Sequence, residues 1–113
     1  MSPRNGPKTV TRKYNLFIEP EAHRDSRRLP GHVRQRVKRL IDSLAQDPRP
    51  GESQPLETTG LNVPPSIELR RIRLNQWRLI YAIHDTEGWV WVWGLRQRPP
   101  YNYEDLAEMV ADL

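Results

Sequence analysis

Residues 66–95, SIELRRIRLNQWRLIYAIHDTEGWVWVWGL, decide the fold. Three runs in this stretch read as β-strands. They are Ser66 to Leu74, Trp77 to His84 and Trp89 to Leu95. Asn75-Gln76 joins the first pair at hairpin length, and Asp85-Thr86-Glu87-Gly88 turns the chain into the third. In the third run Trp89, Trp91 and Trp93 alternate with Val90, Val92 and Gly94. Both of its faces are therefore apolar, which places it inside a sheet and not at an edge.

On the upstream side, Tyr14 to Glu19 alternates as a short strand, with Tyr14, Leu16 and Ile18 on one face and Phe17 on the other. Pro20 opens a helical segment with Glu19 and Glu21 at its positive end, and Pro30-Gly31 interrupts it. Val33, Val37, Leu40, Ile41 and Leu44 then mark the apolar stripe of a second helix. Residues 47–65 are too rich in Pro and Gly for a regular element and read as a long loop anchored by Leu56 and Leu61. Beyond Pro99-Pro100, Leu106, Met109, Val110 and Leu113 fit a short C-terminal helix. The expected order is β-αα-βββ-α, an α+β fold with an antiparallel sheet packed by an α-hairpin. It comprises a flexible basic leader over 1–13 and a single domain over 14–113.

The 113 residues carry 18 Lys and Arg against 14 Asp and Glu, for a net charge of +4, and no Cys. The missing Cys excludes a disulfide scaffold, a thiolate metal site and a Cys nucleophile. No apolar stretch approaches the roughly 20 residues of a membrane span, and the first residues hold no secretory h-region, so a cytoplasmic protein is expected. His23, His32 and His84 lack ligand spacing, and no acyl-transfer or nucleotide-cradling motif occurs. Neither a metal nor a cofactor is expected.

The charge is concentrated. Residues 70–98 hold six Arg (Arg70, Arg71, Arg73, Arg78, Arg96 and Arg98) against Asp85 and Glu87, whereas residues 99–113 hold four acids and no base. Arg71 and Arg73 share one strand face, with Ile72 and Leu74 on the other. Arg70 breaks this pattern by pointing with Ile72, so either it begins the strand or a bulge lies nearby. Three neighbouring antiparallel strands bring Arg71, Arg73, Arg78 and Arg96 within reach of one another. Guanidinium groups gathered in this way repel unless an anion sits among them, and a phosphodiester suits their planar fork. Nearby Trp and Tyr rings could stack bases. The alternative, Arg tips solvating one sheet face around ordinary Trp packing, stays open at this level.

The segments A-x-R-D-x-x-R-L-P-x-x-V-R-x-R-V (22–37), D-P-R-P (47–50), L-R-R-I-R-L-x-x-W-R-L-I-Y (69–81) and G-L-R-Q-R-P-P-Y (94–101) together resemble the RelE/ParE superfamily of toxins from toxin–antitoxin pairs. The resemblance runs from about Tyr14 to the C-terminus. It implies a cytoplasmic toxin neutralised by a cognate antitoxin, with the ribosome and mRNA as targets. The RelE-like branch is an endoribonuclease that inhibits translation by mRNA cleavage without a metal, the ribose 2′-hydroxyl attacking the adjacent phosphate. By carry-over, Arg71 and Arg73 hold the RNA backbone, with Arg98 alongside. Arg78 stabilises charge at the scissile phosphate, and Arg96 assists the phosphate or leaving group. Either Tyr101 or Tyr103 acts on the 2′-hydroxyl. The ParE-like alternative inhibits DNA gyrase by protein binding, without nuclease chemistry. The short Arg73–Arg78 connection, Pro99-Pro100 and the acidic end EDLAEMVADL depart from the RelE pattern, while the Arg positions match it.

Overall fold

The computed structural model of the chain describes residues 14–97 together with 110 and 111. The leader over 1–13 lies outside them, as do Arg98, Tyr101, Tyr103 and most of the expected C-terminal helix. Val110 and Ala111 are helical.

Strand β1 (Asn15–Ile18) leads into α1 (Pro20–Arg27) and α2 (Gly31–Ser43), followed by β2 (Ser53–Pro55), β3 (Ile67–Leu74), β4 (Trp77–His84) and β5 (Trp89–Gln97). Strands β3, β4 and β5 form the expected antiparallel meander, and the sheet order is β1-β5-β4-β3-β2. Two features extend the sequence reading. β1 joins the sheet in parallel beside β5, so the sheet is mixed, and a three-residue β2 interrupts the 47–65 loop. Parallel pairing follows from connectivity, because the α-hairpin carries the chain across the sheet between β1 and β2. β2 forms because Gln54 falls opposite Arg71 and the Leu56 N–H reaches the Leu69 carbonyl at 3.0 Å. Local Pro content did not forbid it at a sheet edge, where Pro55 has no partner on its outer side.

The helices cover one face of the sheet. Ala22, Val33, Val37, Ile41 and Leu44 pack against Ile72, Leu79, Tyr81, Ile83, Val90 and Val92, all buried. Tyr14 and Leu16 join this core. Ile18 remains 39% exposed, because it stands at the strand end beside the open groove between the two helices. The other face holds a smaller core of Leu69, Ile80 and Ala82, covered by the half-buried Leu56, Leu61, Val63, the three β5 Trp rings and Val110. Leu56 and Leu61 thus anchor the long loop. β5, between β1 and β4, is apolar on both faces because both are covered.

The β3–β4 hairpin turns through Asn75, whose φ of 54° lies in the left-handed region. Asn tolerates this conformation better than other residues with a Cβ. Asn75→Ala is expected to destabilise by about 1 kcal/mol and Asn75→Gly to be neutral or stabilising, as read from urea midpoints.

The end of the sheet beyond His84 is tied by side chains. Arg49 donates to Glu68 at 2.7 Å and through two nitrogens to Asp85 at 2.8 and 3.3 Å, while the Tyr14 hydroxyl donates to Asp85 at 2.6 Å. These contacts join the start of β1, the loop after α2, β3 and the β4–β5 turn. The Arg of D-P-R-P thus has a structural task. Arg49, followed by Tyr14, holds the Asp85 carboxyl below the usual carboxylate range, and that carboxylate raises the Tyr14 phenol above its own. A carboxyl depressed in the folded state stabilises above its unfolded pKa, and that contribution is lost as pH falls through the folded value. Asp85 is more than half exposed, so screening keeps the effect modest. The expected result is a melting-temperature gap between wild type and Asp85→Asn that narrows from about pH 6 to pH 3.

Candidate anion-binding face

Strand register decides which Arg side chains meet. Arg73 lies directly opposite Arg78, and Arg78 directly opposite Arg96, so one row of three crosses β3, β4 and β5. Arg71 stands one step along the same face, opposite Ile80 on one side and Gln54 on the other. Its guanidinium donates to the Gln54 side chain at 2.9 Å. Arg73 is exposed, and Arg71, Arg78 and Arg96 are half-buried.

Arg70 is excluded from the row. β3 is regular from Ile67, so alternation turns Arg70 to the helix side with Ile72, without a bulge. There it donates to the Ser53 hydroxyl at 3.0 Å, the Ser53 carbonyl at 3.2 Å and Glu68 at 2.7 Å. With 12% of its side chain exposed, it is a satisfied structural cation.

Arg96 reaches the row through an irregularity. Ile80 pairs with Gly94, but Tyr81 pairs with Val92, leaving Trp93 as an extra residue on β5. This β-bulge reverses the alternation beyond it. With strict alternation, Gly94 and Arg96 would face the helices with Val90 and Val92. Past the bulge they face the other way, and Leu95 enters the helix-side core instead. The Arg96 guanidinium lies over the Trp93 ring at 4.5 Å and donates to the Leu95 carbonyl at 3.2 Å.

Like charges directly opposite one another across a sheet destabilise it. A row of guanidinium groups on three central strands is therefore a place where a polyanion is favoured, and its forked donors match phosphate oxygens. Of the residues singled out from sequence, Arg71, Arg73, Arg78 and Arg96 are brought together; Arg98, Tyr101 and Tyr103 lie outside the described residues. His84 closes the β4–β5 turn, its Nδ1 accepting the Glu87 N–H at 3.1 Å. Among the described residues, no three His, Asp or Glu side chains converge to hold a metal. Sequence reasoning missed Asp25, whose carboxylate lies 3.9 Å from Arg96. The only signal for it was the A-x-R-D segment.

The family model for the ParE toxin of type II toxin–antitoxin systems matches residues 16–98. The chain belongs to that family. This toxin is also similar to several solved structures. The archaeal RelE–RelB complex from Pyrococcus horikoshii matches with TM-score 0.65 and 25% identity, covering 79% of this chain and 99% of that one. The RelBE2 toxin–antitoxin complex of Mycobacterium tuberculosis matches with TM-score 0.58 and 22% identity, over 76% and 99%. The isolated E. coli RelE toxin matches with TM-score 0.53 and 21% identity, over 85% and 96%. The latter two, at such identities, show a common fold. Comparison with curated proteins returns no match. The described toxin has no helix long and apolar enough to cross a membrane.

Proposed function

We propose that the toxin is a metal-independent endoribonuclease that cuts mRNA on the ribosome. The observation that carries this reading is the registered row Arg73–Arg78–Arg96, with Arg71 one step away, on the sheet face that also carries Leu69, Ile80, Ala82 and the β5 Trp rings. In the reaction the ribose 2′-oxygen bonds to the neighbouring phosphorus and the bond to the 5′-oxygen breaks, leaving a cyclic phosphate and a 5′-hydroxyl. Negative charge grows on the phosphate oxygens in the transition state, where preorganised donors act most strongly. Arg78, at the centre of the row, meets that charge. Arg71 and Arg73 hold the backbone on one side and Arg96 serves the leaving oxygen on the other, and Arg98 is a further phosphate-binding group. Tyr101 or Tyr103 accepts the 2′-hydroxyl proton, a role that an Arg-rich surrounding favours by stabilising a phenolate.

The antitoxin completes the reading, and the RelE chains of the similar P. horikoshii and M. tuberculosis structures are seen in toxin–antitoxin complexes. A groove of about 220 Å³ between α1 and α2 is lined by Ile18, Ala22, Val37 and Ile41 and by the charged Arg27, Arg34, Lys38 and Asp42, of which Lys38 and Asp42 pair with each other at 3.2 Å. An acidic, amphipathic antitoxin segment suits that lining, while a second acidic stretch covers the Arg row.

A second reading is inhibition of DNA gyrase by protein contact alone, and the match to a ParE family model favours it. Primer extension on a reporter mRNA in a reconstituted translation reaction separates the two. A-site cleavage by wild type, lost in Arg78→Ala, supports the nuclease. An uncut message together with blocked supercoiling by purified gyrase establishes the inhibitor.

A further inference from the structure

Arg96 is held more elaborately than its place in a row of cations requires. The bulge at Trp93 turns Trp93 and Gly94 to the same face of β5. Gly94 then supplies space, because a Cβ there would stand 2.9 Å from a terminal Arg96 nitrogen and 3.5 Å from its guanidinium carbon. The side chain folds back across the bare strand onto the Trp93 ring, 4.5 Å away. At the other side Asp25, in the last turns of α1, faces the same guanidinium nitrogen at 3.9 Å. The Trp93 ring, the bare Gly94 and the Asp25 carboxylate thus all border the Arg96 guanidinium.

We propose that Asp25 is a positioning residue for Arg96, acting with the Trp93–Gly94 cradle to aim the guanidinium at a phosphate bound on the Arg row. The side chains of Arg96 and Asp25 are 27% and 32% exposed. An ion pair that long and that wet contributes little to stability. Its effect falls instead on orientation, where small misplacements of a charge-stabilising group lower rates strongly. The cradle itself stands on geometry; its consequence for cleavage rests on the nuclease reading.

The test uses the full-length toxin and the variants Asp25→Ala, Asp25→Glu and Gly94→Ala, with two readouts. The first is the Arg96 Nε–H resonance in 15N-Arg-labelled protein, assigned by its disappearance in Arg96→Lys. In wild type it is expected to be shifted by the Trp93 ring current and to show restricted motion. Asp25→Ala and Gly94→Ala move it towards the position of a solvated Arg, and Asp25→Glu restores it. The second readout is single-turnover cleavage of a ribosome-bound message. Asp25→Ala slows the maximal rate roughly tenfold without changing the half-saturating ribosome concentration, and Asp25→Glu recovers most of the loss. An Arg96 resonance untouched by Asp25→Ala overturns the proposal. So does a loosened Arg96 with unchanged cleavage in an active toxin. If wild type cuts no message, the nuclease reading fails and the resonance alone decides the cradle.

Discussion

Arg78→Ala is expected to lower the maximal cleavage rate by roughly 10²- to 10³-fold, the loss typical of removing a donor aimed at a developing oxyanion. Arg78 is the middle member of the row, opposite Arg73 on one strand and Arg96 on the other. Among the described residues, no other position on this face has a guanidinium on both sides. A phosphate bridging the row therefore has Arg78 beneath it wherever the flanking side chains turn. Arg78→Lys keeps the charge and loses the two-pronged contact, so it recovers only about tenfold of the lost rate. Stability is expected to change little. Arg78 lies on the face away from the main core, and half-exposed charges of this kind contribute about 1 kcal/mol or less. Rates from primer extension and melting curves on the same preparations test both halves. An Arg78→Ala toxin that cleaves at the wild-type rate refutes the assigned role.

The second large effect is structural. Tyr81 is fully buried in the helix-side core, and its hydroxyl donates to the buried Pro48 carbonyl at 2.7 Å. Tyr81→Ala removes an aromatic ring from the centre of β4 and is expected to destabilise by about 4 kcal/mol, enough to lower the melting temperature by more than about 10 °C. Tyr81→Phe keeps the ring and leaves the Pro48 carbonyl without this donor, at about 1–2 kcal/mol. The two variants together separate packing from hydrogen bonding. Burial is the main cause that raises the Tyr81 phenol above its ordinary value of about 10. A group raised in the folded state stabilises fully below its unfolded pKa, and that contribution disappears as pH climbs through the folded value. Wild type is therefore expected to lose stability on the alkaline side more steeply than Tyr81→Phe. Equal alkaline slopes in urea titrations would argue against a buried, neutral phenol.

Both expectations draw on the same strand, and they show how differently its two faces were legible. The alternation of Leu79, Tyr81 and Ile83 against Arg78, Ile80 and Ala82 is visible in the sequence, and the two-residue Asn75-Gln76 turn fixes the β3 register against it. Thus the pairing of Arg73 with Arg78 is a local matter of hairpin length and period. The helix stripe through Val33, Val37 and Ile41 is legible for the same reason, since a period of 3.6 residues needs no knowledge of the partner surface.

Contacts between distant segments were not legible. β2 exists because β3 offers an edge, and no feature of Ser53–Pro55 announces a strand. Arg49 finds Glu68 and Asp85 at sequence separations of 19 and 36 residues, so D-P-R-P reads as loop punctuation until the sheet is assembled. Alternation sets Arg70 apart from Arg71 and Arg73 in the sequence but does not say what receives its side chain. Ser53, which absorbs it, comes from the Pro-rich loop.

By itself, then, the sequence determined the α-hairpin, the three-stranded meander and the facing of Arg71, Arg73 and Arg78, because short-range periodicity and turn length govern all of them. Only the tertiary structure decided where Arg96 points. A strict period of two would turn it towards the helices. The extra residue at Trp93 returns it to the Arg row, because β5 must bury Val90 and Val92 on one side before the bulge and Leu95 on the same side after it. That demand comes from the packed core, and no local pattern in WVWVWGLRQ records it.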